Sequence, residues 1–114
     1  MSRVLLCAVL CVSVPSIGAT LADRIIQCES SGIHEQNGRM RCNTHEPTGH
    51  QSCGIAQFRE DTFYEFARMA HIRRPDWTSR WQQVYLLDWG LKRGYGRRWS
   101  CYRKLREAGH VGRH

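Results

Sequence analysis

The sequence predicts a small, mainly α-helical (α+β) domain of about four helices, with a long loop or short β insertion after the first helix and with disulfide staples. Three observations support this fold class. Apolar residues recur at helical spacing in several segments, whereas the alternation typical of strands is scarce. A polar segment rich in Gly, Asn, Pro and His follows the first helical segment. Cysteines are numerous for the chain's length, with six among 114 residues.

Residues 1–19 have the order of features found in a secretory signal peptide. Residues 1–3 carry one positive charge, an apolar run of eleven follows from 4 to 14, and small residues surround two cleavage positions, Ala19 and Ala22. Eleven apolar residues are too few to cross the roughly 30 Å hydrocarbon core of a bilayer, so a membrane anchor is the weaker interpretation. We expect a secreted or periplasmic protein with no stable membrane span in its mature form.

The mature domain is basic; cleavage after Ala19 makes it residues 20–114. It has 16 Lys and Arg residues against 10 Asp and Glu residues, a net charge of +6. A positive surface favours an anionic partner, which outside the cytoplasm means a cell-wall polymer, an anionic lipid or extracellular nucleic acid. Solubility alone is the other explanation of the same charge.

The cysteines of this domain are Cys28, Cys42, Cys53 and Cys101. An even number in a short exported chain favours two disulfides, for which three pairings exist. Cys42 and Cys53 also enclose His45 and His50 in the pattern C-x2-H-x4-H-x2-C, four residues of the type that bind zinc. Because export favours oxidation of the thiols, we expect disulfides and no metal.

The first helix is expected over about residues 20–31, ending at Gly32. At about 100° per residue, Glu29 falls on its apolar face, together with Leu21, Ala22, Ile25, Ile26 and Cys28. A buried, unpaired carboxylate is costly, and its pKa rises so that it keeps its proton. A carboxylic acid protonated near neutral pH can protonate the leaving oxygen of a glycoside. The alternative is a buried salt bridge between Glu29 and an arginine.

The next segments alternate between loop and helix. Residues 33–52 predict a long loop or small irregular sheet, of a length that favours a functional loop. A second helix follows, with Thr62 and Glu65 as a capping box and an inner stripe of Phe63, Phe66, Ala67 and Ala70.

A third helix is expected from about residue 78 to Gly94, with one face formed by Trp81, Val84, Tyr85, Asp88 and Leu91. Trp77, Trp81 and Trp89 are expected to pack in the core or at its rim. Residues 94–102 are rich in turns, and residues 104–114 are expected to be a fraying basic tail. The scattered histidines are expected to be solvated: His34, His71, His110 and His114.

Two motifs in this order resemble those of the lysozyme-like lytic transglycosylases. In that family a helix-end E-S-G is followed, after a loop, by a G-[LI]-x-Q box, and the corresponding residues here are Glu29-Ser30-Ser31-Gly32 and Gly54-Ile55-Ala56-Gln57. The small resuscitation-promoting-factor and phage-type domains share two further features with this chain. They have a cysteine directly before the glutamate, as Cys28 is here. They also end in an aromatic, Gly-rich segment with a second cysteine, which resembles Gly94-Tyr95-Gly96, Trp99 and Cys101. The resemblance covers residues 22–102. The doubled serine and the extra Cys and His of the loop depart from the pattern.

The resemblance implies a peptidoglycan lytic transglycosylase. Glu29 would protonate the β-1,4 glycosidic oxygen between N-acetylmuramic acid and N-acetylglucosamine, and would then act as base while the muramyl 6-hydroxyl closes a 1,6-anhydro ring. Gln57 would hydrogen-bond the glycan, and Tyr95 and Trp99 would stack on sugar faces. It also implies a Cys28–Cys101 disulfide, which leaves Cys42 to pair with Cys53. We expect a monomer that acts on peptidoglycan strands without a cofactor or a nucleic-acid partner.

Several alternatives remain at this stage. Gln57 has a purely structural role available, satisfying backbone groups, and Trp99 has one in the core. A lysozyme-type hydrolase would need a second carboxylate, for which the candidates are Glu35, Glu46, Asp61 and Asp88. A non-catalytic glycan-binding module would use Glu29 only as a hydrogen-bond partner. A cationic antimicrobial or nucleic-acid-binding protein would use the run "KRGYGRRW", in which arginines and aromatic residues interleave.

Overall fold

Helix α1 (Leu21–Ser30) has ends that are set by its own sequence. In the computed structural model, which describes residues 19–43, 47 and 49–109, the Thr20 hydroxyl accepts a hydrogen bond from the Asp23 amide and the Asp23 carboxylate accepts one from the Thr20 amide. This capping box satisfies two amides that the helix leaves unpaired. At the other end Ser31 is left-handed, with φ 55°. Residues 1–18 of the predicted signal peptide lie outside the described residues.

Two small antiparallel sheets follow α1, where the sequence predicts a loop or β insertion. They are formed by β1 (Glu35–Gln36) with β2 (Arg39–Met40) and by β3 (Ser52–Cys53) with β4 (Phe58–Arg59). Asn37 and Gly38 both have positive φ and turn the first hairpin, as the Asn-Gly pair favours. A Cys42–Cys53 disulfide fastens the end of the first hairpin to the second.

Helix α2 (Glu60–Met69) buries Phe63, Phe66 and Ala67, as the inner stripe predicts, and Ala70 at its end is partly buried. The predicted Thr62–Glu65 capping box is wrong. The helix already begins at Glu60, and its N-cap residue, Arg59, makes no side-chain capping bond.

Helix α3 (Arg80–Lys92) begins after Ser79, whose hydroxyl accepts a hydrogen bond from the Gln82 amide. The face that it buries is not the predicted one. Trp81 is 64% exposed and Tyr85 46%, whereas the buried residues are Gln82, Gln83, Leu86, Leu87 and Gly90. The reason is that the two glutamine side chains find backbone partners inside the fold, which makes their burial possible.

The last elements within the described residues are a short 3₁₀ turn (Gly96–Arg98) and helix α4 (Ser100–Glu107). The prediction of a fraying tail from residue 104 is therefore wrong for residues 104–107, and residues 110–114 lie outside the described residues. Cys101 anchors α4 through a disulfide with Cys28, and Tyr102 and Leu105 pack against the core. These contacts stabilise α4, which is short and highly charged and would be only marginally stable as an isolated helix.

An aromatic cluster forms the centre of the core. Phe58 makes edge-on contacts with Phe63, Phe66 and Trp99, at ring-centroid distances of 5.6, 5.7 and 5.3 Å. Trp77 and Trp89 are partly buried against this core, in agreement with their predicted packing, whereas the prediction for Trp81 is wrong.

The fold is a small α+β domain of four helices and two small sheets within the described residues, and about half of it is helical. This confirms the predicted fold class at that level. The structure also contains the two expected disulfides, Cys28–Cys101 and Cys42–Cys53, which close segments with sequence separations of 73 and 11. Among the described residues, no helix has both the length and the apolar character needed to cross a membrane.

Candidate functional site

The four residues between β3 and β4, Gly54-Ile55-Ala56-Gln57, are fixed by hydrogen bonds with five residues from elsewhere in the chain. The amide of Gly54 donates to the Arg41 carbonyl at 2.7 Å. The amide of Ile55 donates to His34 Nδ1 at 2.9 Å, and that of Ala56 to Gln83 Oε1 at 3.0 Å. Each of these backbone groups is buried or close to the core, so each needs a partner.

Two carbonyl groups of the same segment accept hydrogen bonds from side chains that are far apart in the sequence. The Ser30 hydroxyl, at the end of α1, donates to the Ile55 carbonyl at 2.7 Å. The Trp99 indole N–H, just before α4, donates to the Ala56 carbonyl at 2.9 Å. The motif that resembles the G-[LI]-x-Q box is therefore held directly against the helix end that carries Glu29.

His34 is one of the residues that sequence reasoning misplaced. It is 7% exposed rather than solvated. Its Nδ1 accepts from the Ile55 amide, and its Nε2 lies 2.7 Å from the Thr78 carbonyl, which assigns the ring proton to Nε2. Nothing in the local sequence indicates partners 21 and 44 residues away. Of the other histidines, His71 is exposed, and His110 and His114 lie outside the described residues.

Glu29 lies in the last turn of α1, half-buried, and accepts a hydrogen bond from the Cys101 amide at 3.3 Å. Burial raises the pKa of its carboxyl group above 4.5. The Cys101 amide, the Lys104 charge, the Ser100 hydroxyl and the Arg103 charge, in decreasing order, lower the pKa but do not cancel the effect of burial. The result is a carboxylic acid with an increased tendency to keep its proton.

The alternative role for Glu29, a buried salt bridge with an arginine, is not seen in the described part of the chain. The ion pairs there are Arg59–Asp61, Lys92–Asp88 and Arg98–Glu65. The neighbours of Glu29 on its helix also differ from the predicted apolar arc, because Cys28 is exposed and Ser30 is buried. The reason is that the Ser30 hydroxyl has a buried backbone acceptor, the Ile55 carbonyl.

Gln57 has a left-handed backbone, with φ 52°, and its side-chain nitrogen donates to the carbonyls of Arg41 and Gly54 at 3.2 and 3.0 Å. This geometry is the backbone-satisfying role that the sequence left open. Since both N–H groups of the amide are used, Oε1 is the atom left to meet a ligand.

A cavity of about 230 Å³ adjoins Gln57, and Glu29 is not among its lining residues, which are Ser52, Gln57, Phe58, Arg59, Thr62, Arg98 and Trp99. It brings together two of the predicted binding residues, Gln57 and Trp99. Trp99 is only 3% exposed and presents little of its ring. The Trp99-Ser100-Cys101 stretch connects the cavity wall to the donors that hold Glu29. Sequence reasoning missed the hydroxyl and arginine residues of this lining.

Tyr95 is not part of this lining. It is half-buried and packs on the far side of the aromatic cluster, stacked on Trp89 at 6.1 Å and tilted against Phe66 at 5.4 Å. The structure therefore separates Tyr95 from the cavity that Gln57 and Trp99 share.

The candidates for a second carboxylate are dispersed. Asp61 forms an ion pair with Arg59 at 3.1 Å, and Asp88 pairs with Lys92 at 2.8 Å, all four at partly exposed positions. Glu35 is exposed on β1, and Glu46 lies outside the described residues.

The zinc alternative loses its sulfur ligands, because Cys42 and Cys53 are joined in a disulfide. Their would-be companion His50 is exposed and contacts Arg59 at 3.2 Å, and His45 lies outside the described residues. In the part of the chain that the structure describes, no three His, Cys, Asp or Glu residues cluster as metal ligands.

Comparison with known proteins adds no relative: no family profile, curated protein or solved structure matches this chain significantly.

Proposed function

We propose that this chain is a peptidoglycan lytic transglycosylase of lysozyme-like fold, with Glu29 as its acid and base. The observation that carries the proposal is the burial and hydrogen bonding of the Glu29 side chain. Glu29 is half-buried at a helix end, burial raises its pKa, and its hydrogen-bond donors are an amide and a hydroxyl rather than a paired arginine. The order of motifs that resembles this family supplies the substrate class.

The reaction needs one carboxyl group in two roles. In its protonated form Glu29 gives its proton to the glycosidic oxygen as the bond to the muramyl anomeric carbon breaks. The resulting carboxylate then takes the proton of the muramyl 6-hydroxyl, whose oxygen bonds to that carbon and closes the 1,6-anhydro ring. The N-acetylglucosamine end leaves with the first proton, so protons balance without water.

A hydrolytic outcome has less support. Glycoside hydrolases of the usual kind place a second carboxylate across the bond to direct water or to form an ester. Among the described candidates, Asp61 and Asp88 are engaged in surface ion pairs and Glu35 is exposed on the first hairpin.

The glycan would lie in the cavity lined by Gln57, Arg59 and Arg98 and would reach Glu29, which is outside that lining, along residues 99–101. The hydroxyl, amide and guanidinium groups of the lining suit the hydroxyl and acetamido groups of a sugar. In this proposal Gln57 binds through Oε1, and Tyr95 supports the aromatic cluster instead of stacking on a sugar.

Mass spectrometry of digested peptidoglycan tests the proposal. Purified sacculi are incubated with the parent protein, with Glu29→Gln, and with Glu35→Gln, which makes the same change at an exposed position. We expect anhydro-muropeptides, lighter by one water (about 18 Da) than hydrolysed products. Glu29→Gln should lower turnover by about 10²–10⁴-fold, and Glu35→Gln should retain it.

Other outcomes identify the alternatives. Products that contain the added water indicate a muramidase. Binding of sacculi by the parent without any product indicates a glycan-binding module. Full turnover by Glu29→Gln would remove Glu29 from the mechanism.

A further inference from the structure

Three arginines of the C-terminal segment, Arg97, Arg103 and Arg106, line one open depression of about 490 Å³ and are called the arginine patch below. Arg97 belongs to the 3₁₀ turn, and Arg103 and Arg106 lie three residues apart on α4. Positions three apart are neighbours on a helix surface. Glu107 is the remaining lining residue in the part of the chain that the structure describes, where three positive charges therefore face one negative charge.

The guanidinium groups of the arginine patch form no salt bridge among the described residues, where the three ion pairs involve other side chains, although the charge of Arg103 acts on Glu29. None of the three donates a side-chain hydrogen bond within that part of the chain either. A guanidinium group presents five N–H donors in a planar fork that matches the oxygens of phosphate. The depression thus collects unused donors and uncompensated charge at one place.

The scaffold beneath the arginine patch is rigid. Cys101 links the first turn of α4 to α1, and Trp99 anchors the residue before α4 in the core with its indole N–H bonded to Ala56. Side chains that project from a fixed helix lose less entropy on binding than side chains of a mobile loop. The arginine patch is accordingly pre-organised for an anion.

The surroundings of the arginine patch discriminate between classes of polyanion. Proteins that bind single-stranded nucleic acid stack bases on aromatic rings. The rings of this segment pack against the protein: Trp99 is 3% exposed, Tyr95 is stacked on Trp89, and Tyr102 is partly buried against the core. No aromatic residue within residues 19–43, 47 and 49–109 lines the depression. Base stacking is therefore not offered here.

A membrane surface is also a poor match. Helices that lie in a bilayer interface insert exposed apolar side chains. The large hydrophobic residues that are exposed in the described structure are Ile33, Tyr64, Met69, Trp81 and Tyr85, none of which belongs to the C-terminal segment. The apolar side of α4 faces the core instead, through Cys101 and Leu105.

We infer that the arginine patch binds a phosphodiester polymer that carries no bases, such as a polyol-phosphate chain of a cell envelope. An open depression admits a chain that continues at both ends, and successive phosphates meet arginines on the 3₁₀ turn and on α4. This binding surface adjoins the Glu29 site through Arg103, and binding of the polymer does not depend on peptidoglycan cleavage.

Calorimetric titration of soluble poly(glycerol phosphate) into the oxidised full chain at several salt concentrations tests the inference. The test variant is Arg97→Gln/Arg106→Gln, which leaves Arg103 beside Glu29 unchanged. The matched control, Arg73→Gln/Arg74→Gln, removes the same charge from exposed side chains between α2 and α3. Thermal melts verify that both variants are folded.

We expect the test variant to bind the polymer about tenfold more weakly than the parent. The slope of its log affinity against log salt concentration should be smaller in magnitude by about 1.5, because binding through fewer phosphate contacts releases fewer counterions. The control should keep the parent slope.

Absence of binding by the parent, or equal losses in both variants, would overturn the inference. Tighter binding of an oligodeoxyadenylate would assign the patch to nucleic acid, and binding of phosphatidylglycerol vesicles without the polymer would assign it to a membrane; either result also contradicts the inference. Because no peptidoglycan turnover is measured, failure of the proposed enzymatic function leaves this test unaffected.

Discussion

At the scale of single residues, the ionisation of Glu29 links stability to pH. Burial raises its pKa in the folded state, so the folded chain binds this proton more tightly than the unfolded chain. The stability gained from that proton is complete at pH values below the unfolded pKa near 4.5, and it is lost as pH rises through the raised folded value. At pH values above the raised folded pKa, the half-buried position of Glu29 is therefore a stability cost.

A Glu29→Gln variant should reveal this cost. We expect its melting temperature at pH 7 to exceed that of the parent, because a neutral amide has no ionised form to desolvate, with the excess shrinking as pH falls towards 4.5. Calorimetric melts between pH 4 and pH 8 would measure it. Glu35→Gln, at an exposed site, is the control, and a pH-independent difference for Glu29→Gln would contradict the raised pKa.

Gln83 shows how much one buried amide contributes. It is fully buried, accepts from the Ala56 amide and donates to the Trp77 carbonyl at 2.8 Å. Gln83→Leu keeps the approximate size but leaves both backbone groups without partners, so we expect a loss of about 3 kcal/mol in unfolding free energy. Urea titration would measure it, with Gln36→Leu on the exposed first hairpin as a control expected to change stability little. A loss below about 1 kcal/mol would mean that water or a backbone shift replaces the amide.

At the scale of elements, the two disulfides stabilise different parts of the fold. Cys28–Cys101 ties α1 to α4 across a separation of 73 residues, whereas Cys42–Cys53 closes only 11 within the hairpin region. In the chain-entropy model the longer loop is worth about 4 kcal/mol and the shorter about 3 kcal/mol. The longer link also positions the Cys101 amide on Glu29.

Paired serine substitutions should therefore differ in their consequences. Cys28→Ser/Cys101→Ser should lower the unfolding free energy more than Cys42→Ser/Cys53→Ser and should release α4, which we expect as a loss of amide hydrogen-exchange protection over residues 100–107. Denaturant titrations with exchange mass spectrometry would show this. Equal losses for the two pairs, with α4 still protected, would show that packing alone holds that helix.

At the scale of the whole molecule, three parts of the chain approach one another closely at Gly90. A β-carbon placed there would lie 2.7 Å from Phe66 Cε2 on α2 and 3.3 Å from the Trp99 ring before α4. Glycine at this point of α3 thus lets three parts of the chain share one aromatic core. Its unfavourable helix propensity, about 1 kcal/mol relative to alanine, is the cost of that approach.

Gly90→Ala should consequently destabilise the protein although it improves helix propensity. We expect a net loss of about 1–2 kcal/mol, because overpacking a filled core outweighs the propensity gain. Thermal unfolding would measure it, with Lys92→Ala at an exposed position of the same helix as the control. A more stable Gly90→Ala variant would mean that the Phe66 ring moves aside without penalty.

Much of the local structure could be predicted from local signals. The Thr20–Asp23 region and Gly32 bracket α1, the spacing of Phe63, Phe66 and Ala67 identifies the inner face of α2, and Asn37-Gly38 marks a turn. The face of α3 could not be predicted, because Trp81 and Tyr85 are more hydrophobic than the glutamines that the fold buries. Burial of a glutamine depends on partners such as Ala56 and Trp77, which are distant in sequence.

The sequence by itself determined the approximate place of the first three helices, and it put Glu29 in the last turn of the first helix. Those properties follow from periodicity and capping, which act over a few residues. Only the tertiary structure decided that residues 100–107 form a fourth helix, that the Gln57 amide bonds to backbone carbonyls, that His34 is buried, and that the arginine patch lines one depression. Such features depend on hydrogen-bond partners and neighbouring charges that come from other elements, and a pattern within one element does not specify them.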